Sequence, residues 1–300
     1  MKSKKTIGID IGGTKIYAGL VCEGRIIKSK KEKTPNSRQK VITLLGDLIE
    51  QLAEGEGAAG VGIGCAGFID VEKGEVISSP NLPGWENVPL KRIIEERTSL
   101  PVFIDNDVNC AALAEFKLGA GQGKKNLVGI FVGTGIGGGI ILNGQLIHGA
   151  AYSGAELGHI TLKPNGPKCN CGRLGCLEAF AGGSSIINFT HRKVSAVHEI
   201  TKAANEGKKW AILAIERAGK YLSLGIANLI TILSPELVVL GGGVIKAAPR
   251  IVEIVKEQVP LMTLPMAMKG VEIKVTKLQD EAGLLGAALG VDECGMRNAD

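Results

Sequence analysis

The 300-residue sequence has no strong charge of either sign, no leader-like apolar start and no even set of spaced cysteines, and each absence removes a class of function. Its 35 Lys and Arg face 30 Asp and Glu, a formal net charge of +5. Lys2, Lys4 and Lys5 supply three of those units, so the rest of the chain carries about +2, too even a balance for a nucleic-acid footprint. The start MKSKKTIGID is basic, but Asp10 interrupts its apolar stretch after three residues, which excludes a signal peptide. Residues 126–155 hold no charged residue, a length that would pass for a membrane span. Nine glycines and an Asn143-Gly144 turn signal make that stretch a Gly-rich hairpin instead. Gly, at 43 residues, is about twice average usage but follows no Gly-X-Y period, so the excess belongs to turns and close backbone contacts rather than to collagen. The expectation is a soluble cytoplasmic protein with neither membrane nor nucleic-acid partners.

What remains is globular. Hydrophobic residues make up 45% and charged residues 22%, and the length suits two domains of ordinary size. Strand signals at Thr6–Ile11, Lys15–Val21 and Arg25–Lys28 precede a helical pattern over Ser37–Leu52, with Val41, Leu44, Leu45, Leu48 and Ile49 on one face. A strand at Gly60–Cys65, a helix at Leu90–Arg97, a strand at Val102–Asp105 and a helix at Val108–Leu118 complete an α/β reading of the first 115 residues. The pattern then restarts. Without gaps, Ile7–Gly12 matches Val128–Gly133 in apolar register, and both run through a Gly/Thr turn into a second strand, which predicts two related domains. The expected boundaries are 1–115 and 116–280, with a C-terminal helix at about 281–300 docking back on the first domain. The second half predicts helices at Lys208–Leu233 and Ile245–Gln258 around a buried strand, Leu237–Leu240.

Three Gly-rich turns end strands: Asp10-Ile11-Gly12-Gly13-Thr14-Lys15, Gly133-Thr134-Gly135-Ile136-Gly137-Gly138-Gly139, and Gly241-Gly242-Gly243. Such turns let backbone N–H groups surround an anion, and Thr hydroxyls and Lys15 add donors for phosphate oxygens. Asp10 is placed to hold Mg²⁺ or its waters. Other nucleotide motifs are missing. Near Gly123-Lys124 a P-loop needs Gly at 118 and Ser or Thr at 125, where Leu118 and Lys125 stand. The G-x-G-x-x-G spacings at Gly62/Gly64/Gly67 and Gly133/Gly135/Gly138 lead into strands rather than helices, which argues against NAD.

Asp105-Asn106-Asp107-Val108-Asn109 joins a buried strand to an Ala-rich helix. Asn106 or Asp107 suits the helix cap, and Asp107 also suits a base that accepts a proton from a substrate hydroxyl. The seven cysteines include a tight cluster, Cys169, Cys171 and Cys176, while Cys22, Cys65, Cys110 and Cys294 are scattered. An odd count with one cluster points to a metal site in a reducing compartment. With His159 the three thiols match a closed tetrahedral Zn²⁺ site, which is structural because no ligand position stays open. Glu156 and Glu178 flank that staple and are suited to sugar hydroxyls. His159 is suited to serve both metal and ligand, one nitrogen for each.

Taken together, the Asp10–Lys15 turn, Asn106-Asp107, the Gly133–Gly139 loop, Glu156-Leu157-Gly158-His159 and Cys169-x-Cys171-Gly-x-x-Gly-Cys176-x-Glu178 resemble the ROK family (repressors, open reading frames and sugar kinases) over essentially the whole chain. The resemblance implies a two-domain actin-like (hexokinase/ribonuclease H-like) ATPase fold with the active site in the interdomain cleft. It implies Asp107 as catalytic base and Asn81, Asn106, Asp107, Glu156, His159 and Glu178 as hexose contacts. Gly12, Gly13, Thr14, Lys15, Gly133, Thr134, Gly135, Gly137, Gly138, Gly242 and Gly243, with Asp10, would serve ATP and Mg²⁺. His159, Cys169, Cys171 and Cys176 would hold zinc. Repressor members carry a helix-turn-helix before the first Gly loop, whereas six residues precede Ile7, so none is expected. The implied activity is phosphorylation of the 6-hydroxyl of glucose by ATP, a step of glycolysis, by a homodimer or homotetramer. The alternatives are a kinase of N-acetylmannosamine or another amino sugar, and a non-catalytic sugar-sensing ATP-binding protein.

Overall fold

The computed structural model describes residues 4–297, with side chains described as far as Val291. The chain divides into two compact units. The first runs to Leu118 and takes in His148–Gly154 and the stretch from Asp280; the second comprises Gly119–Ile147 and Ala155–Gln279.

In the first unit β1 (Lys5–Ile11), β2 (Lys15–Cys22) and β3 (Arg25–Lys33) form an antiparallel meander. After α1 (Arg38–Ala53), β4 (Val61–Cys65) pairs parallel to β1. A small antiparallel sheet follows, β5 (Phe68–Asp70), β6 (Glu75–Ser78) and β7 (Glu86–Val88). Then come α2 (Leu90–Thr98), β8 (Val102–Asn106), which is parallel to β4, and α3 (Asp107–Lys117). The main sheet has the order β3-β2-β1-β4-β8.

The second unit repeats this plan. β9 (Leu127–Val132), β10 (Ile136–Leu142) and β11 (Gln145–Leu146) are antiparallel. A run of helices intervenes, α4 (Glu178–Ala181), α5 (Gly183–Phe189), α6 (Val197–Asn205) and α7 (Lys209–Leu233). Next, β12 (Leu237–Gly241) joins β9 in parallel. After α8 (Gly243–Ala247), α9 (Pro249–Met262) and α10 (Pro265–Met268), β13 (Glu272–Val275) pairs with β12, giving β11-β10-β9-β12-β13. The last helix, α11 (Ala282–Arg297), belongs to the first unit; residues 298–300 of the expected tail lie outside the described residues.

The duplication holds in register. Ile11 pairs with Ile16 across the first turn and Val132 with Ile136 across the second, so Ile7–Gly12 and Val128–Gly133 occupy equivalent places. Along β1, Ile7, Ile9 and Ile11 join α1 residues Val41, Leu45, Leu48 and Ile49 in one core cluster. The alternate residues, Gly8 and Asp10, face α11: a Cβ on Gly8 would run into the Leu284 carbonyl, and one on Gly62 of β4 into that of Ala287. Gly62 thus lets α11 lie directly on the sheet, while Gly64, two residues on, faces Cys110 and Asp107 of α3. The second core centres on Val128, Ile130, Leu222, Ile226, Val238 and Leu240, all at most 1% exposed.

One expected element is corrected. Ile245–Gln258 is not a single helix but breaks between α8 and α9, because Pro249 opens a new first turn and Ala248 before it takes a non-helical φ of −133°. The strand expected at Arg25–Lys28 also runs on to Lys33. Among the described residues no helix is long and apolar enough to cross a membrane.

Candidate active site and metal centre

The first Gly turn passes β1 to β2. Gly12 N–H donates to the Lys15 carbonyl at 3.0 Å, while Thr34 Oγ1 donates to Gly12 O at 2.7 Å and Thr34 N–H to Thr14 O at 3.1 Å. These bonds engage the turn's carbonyls. The exposed Gly13 and Thr14 have N–H groups that donate to nothing among the described residues, an anion-ready arrangement. Asn81, on the loop between β6 and β7, lies against this turn: a Cβ at 13 would come 3.1 Å from Asn81 Cβ. That loop is pinned by the buried Trp85, whose carbonyl accepts from Ser79 N–H at 3.1 Å.

Asp10 sits where β1 meets the start of α11, against Gly283. Burial pushes its carboxyl up to about 7, with Asp107 and Asp280 adding and Lys15 opposing. Lys15 Nζ stands 3.9 Å from Asp280 Oδ2.

At the start of α3 the cap is Asn106, not Asp107. Its Oδ1 accepts from Val108 N–H at 2.9 Å and Asn109 N–H at 3.2 Å, and its Nδ2 donates to Gly67 O at 3.0 Å. Asp107 therefore occupies the first helical turn, where the aligned peptide dipoles favour an anion. Sequence reasoning missed the partner pair beneath. Asp105, 1% exposed, accepts from Asn106 N–H and Asn109 Nδ2 through Oδ1, and its Oδ2 lies 2.7 Å from His148 Nε2. Asp105 was legible as a polar end to an apolar strand. His148, 43 residues on, carried no signal.

In the second unit the Gly133-Thr134-Gly135 turn joins β9 to β10. Gly133 N–H donates to Gly135 O at 2.9 Å; Gly183 N–H donates to Gly133 O at 2.9 Å and Ser184 N–H to Thr134 O at 3.0 Å. Thr134 and Gly135 N–H have no partner among the described residues, as in the first turn. Glu178 Oε2 accepts from Ile136 N–H at 2.9 Å, and a Cβ on Gly135 would run into that same oxygen. The third turn, Gly241-Gly242-Gly243, leads from β12 into α8, with Gly242 at φ +92° against the Val132 backbone, a conformation that requires glycine.

Four ligand atoms from His159, Cys169, Cys171 and Cys176 all lie within 4.8 Å of one another. Cys171 and Cys176 Sγ are 3.7 Å apart, and His159 Nδ1 is 3.7 Å from Cys169 Sγ. Tetrahedral zinc with its usual bond lengths requires about 3.8 Å between thiolates and about 3.6 Å from thiolate to imidazole, so the residues fit the ion. Short bridges, Thr161 with Cys176 and Lys168 with Leu174, fold the knuckle, and Arg173 donates to the His159 carbonyl at 2.7 Å. The Arg173 backbone N–H and side chain hold the Cys171 thiol down to about 6, while burial pushes Cys169 and Cys176 up. His159 turns Nδ1 to the thiols and Nε2 outward, 3.9 Å from Glu156 Oε2. Desolvation holds the Glu156 carboxyl above its usual range, opposed by His159 and reinforced by Glu178. The chain thus gathers Asn81, Asn106, Asp107 and Asp10 on the first unit, and Glu156, His159, Glu178 and the knuckle on the second.

Two matched five-stranded sheets, each opening on a Gly-turned hairpin, define the actin-like ATPase fold. The ROK family profile matches residues 6–293, and the chain belongs to the ROK family. A glucokinase of Thermotoga maritima is 38% identical over 96% of this chain and 97% of its own length. The structure of a ROK hexokinase from Thermus thermophilus superposes with a TM-score of 0.87 at 36% identity, covering 98% of this chain and 100% of that one. A ROK family glucokinase from Streptomyces griseus, solved in complex with glucose and AMPPNP, gives 0.81 at 32% identity, over 95% and 98%.

Proposed function

We propose that the protein is an ATP-dependent kinase that phosphorylates the 6-hydroxyl of glucose, a glucokinase. The observation that carries the reading is the division of labour at the start of α3, where Asn106 caps the helix and Asp107 stands one residue further on. A carboxylate in the first turn of a helix, with the cap filled by its neighbour, is suited to orient a hydroxyl and take its proton. The glucokinase names of full-length relatives and the glucose and AMPPNP bound by the S. griseus protein support the choice of sugar and donor.

In this reading Asn81, Asn106, Glu156, His159 and Glu178 hold the hexose by its hydroxyls, with His159 using Nε2. Asp107 accepts the O6 proton as the bond from O6 to the γ-phosphorus forms and the bond from that phosphorus to the ADP oxygen breaks. The N–H groups of Gly13, Thr14, Thr134 and Gly135 take the phosphate oxygens, with Gly12 in the first turn and Lys15 opening β2 after it. Gly137 and Gly138, expected in the second loop, lie instead inside β10, paired with Phe131 and Ile130, so the turn itself ends at Gly135. Gly242 and Gly243 support the adenosine. Mg²⁺ on the nucleotide supplies neutralisation of phosphoryl charge, and Asp10 is the residue that would meet it. The ionised form of a carboxyl raised to about 7 is the form a cation restores. His159, through Nδ1, with Cys169, Cys171 and Cys176 would hold Zn²⁺, which would supply rigidity rather than Lewis-acid chemistry.

A coupled assay of ADP release over a panel of hexoses tests the proposal. Glucose is expected to give the strongest response. A response to N-acetylmannosamine in its place would redirect the substrate, and silence with every sugar would remove the kinase reading.

A further inference from the structure

Glu178 has two jobs in the geometry, and only one of them concerns sugar. Its Oε2 is the acceptor for the N–H of Ile136, the first residue after the second Gly turn, at 2.9 Å. Glu178 also stands two residues after Cys176, the last knuckle cysteine, at the start of α4, so the chain itself joins this carboxylate to the Cys/His knuckle. The Cys169 thiol approaches Glu178 Oε1 at 3.5 Å. Gly135 has no room for a side chain because that carboxylate fills the space. The turn's remaining fastenings come from the same segment: Gly183 and Ser184 hold the carbonyls of Gly133 and Thr134 at 2.9 and 3.0 Å. Among the described residues, the outside bonds to Gly133, Thr134 and the adjoining Ile136 N–H thus all come from residues 178–184, shortly after the last knuckle cysteine. What the turn leaves over are the Thr134 and Gly135 N–H groups.

We propose that Glu178 is a positioning residue for the nucleotide's phosphates: it splints the Gly133–Gly135 turn to the Cys/His knuckle, so nucleotide affinity depends on it even when no sugar is bound. The inference rests on the reading of that turn as phosphate-binding. A carboxylate accepting a backbone N–H is a charge-assisted bond, stronger than a neutral one, and its loss leaves the N–H of Ile136 without an acceptor at the point where the turn becomes strand. Each oxygen keeps lone pairs for a sugar hydroxyl, so the two jobs are compatible.

The test is the dissociation constant of AMPPNP with sugar absent, for the parent protein, E178Q, E178A and G135A, with metal content measured alongside. The amide oxygen of E178Q still accepts from Ile136, so this variant is expected within about threefold of the parent. E178A and G135A are expected to bind about tenfold or more weakly, the range set by losing one hydrogen bond to a charged group. A role confined to sugar would leave all four alike, because no sugar is present. E178A or G135A binding as tightly as the parent overturns the inference, whether or not its metal is retained. E178Q falling as far as E178A overturns it too, since the Ile136 acceptor would then not be what matters. If the parent itself fails to bind AMPPNP, the phosphate-binding reading of the turn falls and the inference with it.

Discussion

Asp105 and His148 meet at 2.7 Å through Oδ2 and Nε2, and this contact fastens the segment His148–Gly154 to the strand end that leads into Asn106 and Asp107. Asp105 is buried with three donors converging on it, so its removal strands all three. Asp105→Ala is expected to lower stability by about 3 kcal/mol and His148→Ala by about 1–2 kcal/mol, the scale of unsatisfied buried groups. The double variant should cost clearly less than the sum of the two, because one bond is common to both. Urea unfolding of the three variants measures this; strict additivity would dissolve the link.

Asp107 and Asn106 should separate catalysis from stability. Asp107→Ala is expected to lose at least ~10²-fold in turnover while glucose binding persists, as for removal of a general base. Asn106→Ala is expected to cost about 1 kcal/mol of stability through the lost cap. Steady-state kinetics with glucose titration by calorimetry checks the first, and thermal unfolding the second. Near-parental turnover of Asp107→Ala would take that residue out of the mechanism.

The knuckle should hold about one zinc per chain. Cys176→Ala is expected to reduce the metal to near zero and to lower the unfolding temperature, because a metal bound only by the folded state contributes its binding energy to folding. Elemental analysis reads the stoichiometry. A folded parent protein free of metal would remove the assignment of His159, Cys169, Cys171 and Cys176.

Asp10 should make nucleotide-free protein less stable as pH rises. Its folded carboxyl titrates near 7 against an ordinary value of 3.8, so the folded state keeps a proton the unfolded chain has released. Its contribution is full below about 4 and is lost as pH rises to about 7. Asp10→Asn is therefore expected to raise the unfolding temperature relative to the parent at pH 8 and to gain little at pH 4. Equal gains at both values would show that Asp10 carries no such linkage.

Most helices and strands were legible because their signals are local. Val41, Leu45, Leu48 and Ile49 recur at helical spacing, and α1 follows them; Ile7, Ile9 and Ile11 alternate, and β1 does the same. Elements whose burial comes from elsewhere escaped. The small β5–β7 sheet takes its core from Trp85 and Leu82, and β13 has its place only because β12 offers an edge. The joined reading of α8 and α9 missed the weight of Pro249, which a periodicity count ignores. Among site residues, the three Gly turns and the Cys/His cluster declared themselves by composition and spacing. His148 did not, since its partner Asp105 lies 43 residues away and nothing local marks a lone histidine.

The chain's order of residues was enough for the duplicated strand–turn–strand plan, the donor-rich glycine turns and the His159, Cys169, Cys171 and Cys176 cluster, because each is written as a recognisable local pattern of residue types and spacings. Folding in three dimensions decided which of Asn106 and Asp107 caps α3, which nitrogen His159 turns to the thiols, why β4 needs glycine beneath α11, and that Glu178 accepts from Ile136 N–H beside the second turn. Those outcomes depend on distances between groups far apart in the chain, and a hydrogen bond or a steric clash is settled within a few tenths of an ångström that no residue pattern encodes.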